Sequence, residues 1–394
     1  MKDQQALIEL FHFTENHWQE DITKLAFKKE LVKGWQNQLV LQQLYGKQKA
    51  KNKLPFLFNQ SNILYPPKVS LEQCTSQQVA TWKAQLVNGK TLLDMTGGFG
   101  IDSYFFAQQV EQVTYLEQQP QLSTIVQHNF KALRVDNIRV ASGDAIDFLN
   151  QTPKQFDWIY LDPARRDGFG NRKFDLADYT PNVLLIKELL FQKGRKILLK
   201  TSPMLDIQQA LTQLEKVVNI YVVALKNEVK ELLFEMDTAI EKKPTPTLHC
   251  INLAATITTY KSQYHQVEIT HSLPKTYLYE PNAAILKAGL FQEITTDFKV
   301  EKLHPNTHLY TSSELVKDFP GRLFLIKAVL PYQKKAIRPY LENAKANIAT
   351  RNFPNSVEQM KKKLGLKDGG QHYLFGVTLM DNSLRVLVGE KVGR

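Results

Sequence analysis

The residues best placed to do chemistry occur at four points of the chain, and each follows an apolar run. The apolar runs and the residues that close them are LLD with Asp94, VTYLE with Glu117, IRVASG with Asp144, and FDWIYL with Asp162 and Pro163. The carboxyl ends of parallel strands meet at one edge of a sheet, and ligands of open α/β sheets bind outside that edge. The spacing therefore predicts a cleft with an acidic wall.

A glycine-rich turn connects the first of these acids to a predicted helix. Within LLDMTGGFGID, residues 92–102, three glycines follow Asp94 at positions 97, 98 and 100. Glycine lets a backbone turn sharply and approach a ligand closely. The turn lacks the Gly-Lys-Ser/Thr ending of a phosphate loop, and Asp94 places a carboxylate where phosphate would lie. The turn therefore favours a nucleotide-like ligand that is cationic or carries an amine, and S-adenosylmethionine has both a sulfonium and an amino group.

Two further acids suit the remaining parts of such a ligand. Glu117 lies about twenty residues beyond the turn, where an acid binds ribose hydroxyls, and Asp144 ends the third strand, where it suits an adenine amine. Dinucleotide-binding domains share the glycine turn, but a plain dehydrogenase would not need Asp-Pro after the fourth strand. The predicted cofactor contacts are Asp94, Thr96, Gly97, Gly98, Gly100, Asp102, Glu117, Asp144 and Ala145.

Taken together, these motifs resemble those of class I S-adenosylmethionine-dependent methyltransferases over roughly residues 70–240. The segment from Glu72 to Phe106 is similar to cap-guanine N2-methyltransferases. The DPARR form at 162–166, followed by Arg351–Pro354 and Leu364–Gly370, resembles a bacterial family with a THUMP-like domain. The resemblance implies a Rossmann-like methyltransferase sheet, preceded by a helical region and followed by small α/β modules, one ferredoxin-like and one THUMP-like.

The order of predicted elements agrees with that fold class. Strands and helices alternate from residue 90 to about 216, which predicts a parallel sheet with helices on both faces, and residues 219–237 predict a final antiparallel hairpin. Residues 1–60 have helical periodicity, interrupted by a basic linker, GKQKAKNKLP at 46–55, that is either solvated or in contact with nucleic acid. We predict domains at 1–87, 88–243, 244–320 and 321–394.

The charge is concentrated near the end of the chain. The formal net charge is +11, and residues 321–394 hold fourteen Lys and Arg against five Asp and Glu. A basic terminal module beside a neutral catalytic one is typical of an RNA-binding appendage, because phosphate contacts dominate nonspecific affinity for nucleic acid. A surface that only improves solubility is the alternative.

Composition excludes several other classes of protein. Only Cys74 and Cys250 occur, so a disulfide framework or multi-cysteine metal site is excluded, and the histidines show no metal-ligand spacing. We therefore predict no metal. The chain has neither a run of about eighteen apolar residues nor the pattern of a signal peptide at its start, which predicts no membrane partner and a cytoplasmic location.

The catalytic prediction concerns the segment after the fourth strand. Methyl transfer is an in-line displacement, so the protein mainly aligns donor and acceptor. Asp162 and the carbonyl of Pro163 could accept hydrogen bonds from an exocyclic base amine. Related amine methyltransferases continue with an aromatic residue, whereas this chain has Ala164 and Arg165. Arg165 could stack on a base or bind phosphate, the aromatic could be Phe169, Phe174 or Tyr179, and Arg166 could instead pair with Asp167 or Asp175.

Lysine and cysteine are the other side-chain types considered for the catalytic site. Lys200 ends the fifth strand at the same edge and could touch substrate. Cys74 and Cys250 are predicted to be small buried hydrophobic residues, away from the place that a nucleophile for carbon methylation would need.

The sequence thus predicts a methyltransferase that acts on a nucleobase nitrogen of structured RNA, tRNA or rRNA. Two alternatives stay open. One is a noncatalytic RNA-binding or assembly protein on a methyltransferase scaffold. The other is a methyltransferase for protein or small molecules.

Overall fold

A computed structural model describes residues 4–165 and 175–393. The chain begins with helices that precede the first strand. Their bounds are α1 Gln4–His17, α2 Ile22–Leu25, α3 Asn37–Lys53, α4 Pro55–Phe58, α5 Lys68–Gln73 and α6 Gln77–Ala84. The predicted helical character of residues 1–60 is confirmed for α1 and α3, whereas residues 26–36 form turns.

The basic linker predicted at 46–55 is wrong, because α3 continues to Lys53. The helix persists because Val40, Leu44 and Ala50 are fully buried at helical spacing. Gly46 lies against Tyr65, and a Cβ at position 46 would be 2.1 Å from the Cβ of Tyr65. Gly46, the first residue of the predicted linker, is thus a close-packing residue within a helix.

Strands and helices then alternate as predicted. The strands are β1 Thr91–Asp94, β2 Gln112–Glu117, β3 Ile138–Ser142, β4 Phe156–Leu161, β5 Ala164–Arg165, β6 Tyr179–Thr180, β7 Gly194–Thr201, β8 Val217–Leu225 and β9 Glu228–Asp237. The helices are α7 Ile101–Phe106, α8 Pro120–Ala132, α9 Ala145–Gln151, α10 Val183–Lys193 and α11 Ile207–Gln213.

The main sheet has the order β3-β2-β1-β4-β7-β9, in which the first five strands are parallel. Its central strands are buried on both faces, and Leu92, Leu93, Val113, Ile159 and Leu198 have no exposed surface. Such continuous apolar runs are expected when helices cover both faces of a parallel sheet. This arrangement brings the ends of β1, β2, β3 and β4 to one edge.

The last strand of that sheet runs the other way. β9 is antiparallel to β7, with Leu199 opposite Phe234. β8 leads into β9 through Lys226 and Asn227, which both have positive φ, at 52° and 65°. Two residues of this conformation match the right-handed twist of a hairpin. The predicted antiparallel hairpin is confirmed.

The remainder of the chain adds a second set of elements. The strands are β10 Thr247–Leu253, β11 Thr258–Ser262, β12 Tyr277–Pro281, β13 Glu301–His304, β14 Thr307–Ser312, β15 Gly321–Pro331, β16 Asn347–Arg351, β17 His372–Thr378 and β18 Leu384–Lys391. The helices are α12 Ala283–Ala288, α13 Glu293–Phe298, α14 Lys334–Ile337 and α15 Val357–Leu364. Residues 263–270 form no strand, and His271 makes an isolated bridge with Lys302.

Most of these strands form one mixed sheet with the order β13-β14-β12-β15-β18-β17-β16. Its core contains Leu278, Phe324, Phe375, Val377 and Leu387, all without exposed surface. β10 pairs in parallel with β8 over residues 219–225 and antiparallel with β11. The predicted mixed α/β class, with a methyltransferase-type sheet and α/β modules after it, is confirmed.

The chain divides into two compact units. The first contains residues 1–218 and 232–244, and the second contains 219–231 and 245–394. The helices before β1 thus belong to the same unit as the main sheet. The four domain boundaries predicted above stay a prediction. None of the described helices is long and apolar enough to cross a membrane.

Candidate cofactor and substrate site

A cavity of about 340 Å³ lies at the carboxyl edge of the main sheet. All nine predicted cofactor residues line it, as does Asp162. The lining also includes residues from the chain before β1 and from the end of β6 and the position after it, namely Ser70, Gln73, Cys74, Thr75, Thr180 and Pro181. Acids separated by almost seventy positions in the sequence are therefore brought to one cleft by the parallel sheet.

Asp94 closes β1 and is almost completely buried, with 1% of its surface exposed. Its Oδ2 accepts a hydrogen bond from Ser103 Oγ at 2.6 Å, and its Oδ1 accepts one from the Thr96 amide at 3.1 Å. Burial raises the pKa of the Asp94 carboxyl to about 7, although these two hydrogen bonds oppose the rise. Asp94 thus holds the glycine turn at one end and can change charge near neutral pH.

The glycine turn is packed against β2 and α8. A Cβ at Gly97 would be 2.1 Å from the Tyr115 ring, and one at Gly100 would be 2.8 Å from Val126 Cγ1. Gly100 also has a φ of 75°, which side chains other than glycine rarely adopt. The Tyr115 hydroxyl donates to the Gly98 carbonyl at 2.6 Å. Only glycine fits at Gly97 and Gly100, so the shape of the cavity depends on them.

Glu117 and Asp144 are held by the backbone at the ends of β2 and β3. Glu117 accepts hydrogen bonds from the amides of Gly98 and Gln119, both at 2.9 Å. Asp144 caps α9 by accepting from the Ile146 amide at 2.8 Å. Each carboxylate is oriented before any ligand binds, which lowers the entropy cost of binding.

A buried polar cluster lies beneath the turn. Asp102 Oδ2 accepts hydrogen bonds from Thr75 Oγ1 at 2.8 Å, Lys83 Nζ at 3.0 Å and the Tyr160 hydroxyl at 2.7 Å. Burial alone would raise the pKa of Asp102, but the ammonium groups of Lys83 and Lys200 hold it below its usual range. The cluster joins α6, α7 and β4 through one ionised carboxylate.

The second oxygen of Asp102 is important for a ligand. Asp102 Oδ1 is buried and accepts no hydrogen bond from any residue that the structure describes. A buried acceptor without a partner costs free energy, and a donor from a ligand would remove that cost. Since Asp102 lines the cavity, the residues present fit a ligand that carries an ammonium group.

The fourth strand end carries an ion pair. Lys200 Nζ at the end of β7 contacts Asp162 Oδ2, and the Asp162 amide donates to Thr96 Oγ1 at 2.6 Å. The Lys200 side chain is 11% exposed and that of Asp162 is 37% exposed. The prediction that Lys200 lies at this edge is confirmed, and its ammonium contacts the candidate catalytic carboxylate.

The other predicted catalytic residues lie beside the cavity. Pro163 is buried, Arg165 is exposed, and neither is among the lining residues. Arg165 lies in the ribbon formed by β5 and β6, where it pairs with the backbone of Tyr179. Tyr179 is 2% exposed, so its ring is covered rather than presented to a base.

Part of the predicted region lies outside the described residues. The predicted residues outside the described ranges are Arg166, Asp167, Phe169 and Phe174. Asp175 is described, and its carboxylate accepts hydrogen bonds from the Ala177 amide and the Gln213 side chain.

Cys74 corrects an expectation, because it lies in the cavity wall and is only partly buried. Burial nevertheless raises the pKa of its thiol to about 11, so the nucleophilic thiolate is scarce at neutral pH. Cys250 is fully buried, as predicted. Within the described ranges, no three or more His, Cys, Asp and Glu side chains are grouped to hold a metal ion.

Three residues of the site were not predicted from the sequence, namely Lys83, Tyr160 and Ser103. Lys83 is fully buried on the same helix as Val79 and Ala80. A lysine at an apolar position of a helix is a signal that could have identified it, since buried lysines need a partner. Ser103 carries no such signal, because serine is common at the start of helices.

Known families match three parts of the chain. Residues 75–219 match the family described as Conserved hypothetical protein 95, residues 277–320 match a ferredoxin-like domain, and residues 321–391 match a THUMP-like domain. No curated protein sequence matches the chain.

Solved structures give a match over the whole length. A methyltransferase candidate from Porphyromonas gingivalis W83 is 28% identical, with 100% of both chains covered and a TM-score of 0.89. An rRNA methylase from Streptococcus thermophilus is 12% identical, with 40% of this chain and 93% of that chain covered and a TM-score of 0.31. TrmK from M. capricolum, in complex with S-adenosylhomocysteine, is 12% identical, with 42% and 69% covered and a TM-score of 0.31. The last two are too dissimilar to support an argument.

Three observations support the same assignment. They are the full-length match, the two domain matches that follow the sheet in the predicted order, and the acids at the four strand ends. The chain is therefore an S-adenosylmethionine-dependent methyltransferase of the class I fold, with ferredoxin-like and THUMP-like domains after its main sheet.

Proposed function

We propose that this protein methylates a nucleobase nitrogen of tRNA or rRNA. The observation that carries the proposal is the Asp162–Lys200 pair at the edge of the acidic cavity. With Oδ2 held by Lys200, Asp162 offers its other oxygen as an acceptor for an amine N–H. A carboxylate oxygen accepts hydrogen bonds from N–H donors.

S-adenosylmethionine, when bound, supplies an electrophilic methyl group and leaves as S-adenosylhomocysteine. The residues of the chain orient and shield. Glu117 and Asp144 lie where they would accept from ribose hydroxyls and the adenine amine, and Asp102 Oδ1 where it would accept from an ammonium group. Asp162, with the Pro163 carbonyl as a second acceptor, would hold the substrate amine so that its lone pair faces the donor.

The RNA part of the proposal is supported by charge. The THUMP-like match covers residues 321–391, and the last 74 residues carry most of the net positive charge. Lys361, Lys362 and Lys363 lie in one turn of α15. A basic module joined to an acidic cofactor cavity suits a polyanionic substrate. Such a substrate is consistent with a cytoplasmic location.

The test is methyl transfer from labelled S-adenosylmethionine to bulk bacterial tRNA and rRNA, with the full-length protein. We expect label in RNA, and we expect Asp162→Ala to lower the rate by at least about 100-fold while S-adenosylhomocysteine affinity changes less than threefold. Asp136→Ala is the matched control, since Asp136 is an exposed acid before β3.

Two results would contradict the proposal. Binding of S-adenosylhomocysteine without transfer to any RNA would reject the RNA substrate and direct the search to proteins and small molecules. Equal RNA labelling by Asp162→Ala and Asp136→Ala would reject the role of Asp162.

A further inference from the structure

The lysines near the end of α3 lie close to the cavity. α5 and the residues after it form one wall of the cavity, through Ser70, Gln73, Cys74 and Thr75. α3 packs against α5, and the Lys53 ammonium donates to the carbonyls of Leu71 at 3.0 Å and Glu72 at 2.6 Å. The basic half of α3 is therefore fixed beside the cavity wall.

The lysines in this region differ in their environment. Lys47 is 3% exposed and is used structurally, because it pairs with Glu15 at 2.6 Å and donates to the Phe58 carbonyl at 2.6 Å. Lys49 is exposed, and the Lys68 side chain is 65% exposed. The buried lysines anchor the helices, whereas the exposed ones face solvent.

Tyr45 brings the two exposed lysines together. The ammonium groups of Lys49 and Lys68 lie 5.6 Å and 5.4 Å from the centroid of the Tyr45 ring. Ammonium groups at this distance from an aromatic ring are attracted to it. We call Tyr45, Lys49 and Lys68 the lysine rim.

The nearest acid does little to neutralise the rim. The Tyr45 hydroxyl donates to Glu72 Oε1 at 2.5 Å, whereas Lys68 Nζ is 4.0 Å from the same oxygen. An exposed pair at that separation contributes almost nothing to stability. One carboxylate beside two ammonium groups leaves the rim positive.

We propose that the lysine rim binds phosphates of a single-stranded RNA segment next to the nucleotide that enters the cavity. This inference rests on the proposed function and locates the substrate strand. Lys68 begins the same helix that ends at Gln73 in the cavity wall, and five residues of helix span roughly 8 Å. A phosphate on Lys68 therefore lies close to the target nucleotide.

The chemistry of the cavity selects a single strand. A base must leave its stack before its amine can reach a carboxylate in the wall of the cavity, and unpaired nucleotides do so at the lowest cost. Val69, beside Lys68, is 62% exposed, so an apolar surface for a base face lies next to a charge for its phosphate. Phosphate contacts combined with apolar contacts to bases are typical of single-strand binding.

The experiment measures fluorescence anisotropy of a labelled twelve-nucleotide single-stranded RNA with the full-length protein. The test variant is Lys49→Gln with Lys68→Gln. The matched control is Lys28→Gln with Lys29→Gln, which removes the same charge from exposed positions in the turns before α3. Thermal unfolding and S-adenosylhomocysteine binding should be the same for both variants and the intact protein.

We expect the Kd of the test variant to rise about tenfold at low salt, and its log–log salt slope to fall by about 1.4, or about 0.7 for each lost phosphate contact. The control should keep both values. Equal weakening by both variants would show general charge attraction and overturn the proposal, as would no weakening in the test variant. Binding of an acidic peptide that RNA does not displace would also overturn it, in favour of a protein partner.

Failure of the inference can be distinguished from failure of the proposed function. If RNA is methylated but the rim variant has an unchanged KM, the proposed function holds and the proposed role of the lysine rim is rejected. If RNA is not methylated but RNA binding depends on the rim, the role of the rim holds and the proposed function is rejected.

Discussion

Asp94 is a buried acid at the end of β1 whose pKa the fold raises. An ordinary aspartate has a pKa near 3.9, whereas burial raises that of Asp94 to about 7, with Asp102 and Asp162 nearby adding to the rise. The folded protein therefore binds a proton here that the unfolded chain releases. By linkage, the contribution of Asp94 to stability is fully present below about pH 4 and is lost as the pH rises through 7.

This shift predicts a pH-dependent cofactor affinity. An ammonium group of S-adenosylhomocysteine interacts better with ionised Asp94, so affinity should increase from pH 6 to pH 8 by up to about tenfold. Calorimetric titration in two buffers of different ionisation enthalpy should show proton release below pH 7. Asp94→Asn cannot titrate, so a pH-dependent affinity that persists in this variant would contradict the assignment to Asp94.

Lys200 gives a second prediction for a single residue. Lys200→Met keeps much of the volume but removes the ammonium that contacts Asp162. Methyl transfer should fall by about 100-fold, since Asp162 loses its orienting partner, while S-adenosylhomocysteine affinity should stay within threefold. Lys131→Met, an exposed substitution on α8, serves as the control. A rate for Lys200→Met equal to that of the control would exclude a role for the pair.

At the scale of the element, substitutions in the glycine turn allow the cost of backbone strain to be separated from the cost of steric overlap. Gly100 and Gly34 have almost the same φ, 75° and 74°, but a Cβ at Gly100 meets Val126 and one at Gly34 meets nothing within 4 Å. Gly34→Ala should cost only the conformational strain, about 1–2 kcal/mol. Gly100→Ala adds steric overlap and should cost about 2–4 kcal/mol in urea unfolding. Equal losses of unfolding free energy in the two variants would mean that α8 moves to make room for the added methyl group at little cost.

The buried pair of Lys83 and Asp102 connects three elements and gives a second prediction at this scale. Lys83→Met leaves the Asp102 carboxylate buried without its cation, so the free energy of unfolding should fall by about 3–5 kcal/mol. The same Lys131→Met control should change it by less than about 0.5 kcal/mol. Adding Asp102→Asn to Lys83→Met should recover part of the loss. A double variant no more stable than the single one would show that the loss comes from packing.

The sequence predicted elements where periodicity and polarity agreed. β1 to β4 each combine an apolar run with a terminal acid, so both the strands and their shared edge could be predicted. Two contacts could not be predicted. Gly46 in α3 suggests a break until its contact with Tyr65 is seen, and the partner of Lys83 lies nineteen residues away on another helix. Contacts between elements, which periodicity does not encode, decide both cases.

At the scale of the whole molecule, the basic terminal module should govern salt dependence. Replacing Lys361, Lys362 and Lys363 by glutamine should weaken RNA binding and lower its salt slope, without altering S-adenosylhomocysteine affinity. Lys361 pairs with Asp368 and Lys363 lies 4.1 Å from the Tyr332 ring centroid, so Lys362→Gln alone is the milder variant. Unchanged methylation of RNA by the triple variant would mean that α15 does not contact the substrate.

The two compact units are interleaved along the chain, and this limits how their gene segments can be exchanged during evolution. Residues 219–231 belong to the second unit, although chain of the first unit lies on both sides of them. In β8, Ile220, Val222 and Ala224 have no exposed surface, and the strand pairs with β10 over residues 219–225. A gene cut after residue 244 would encode this strand without β10 and expose an apolar edge that favours aggregation. A single recombination event therefore cannot exchange one unit and keep the other intact, so we expect the two to descend together.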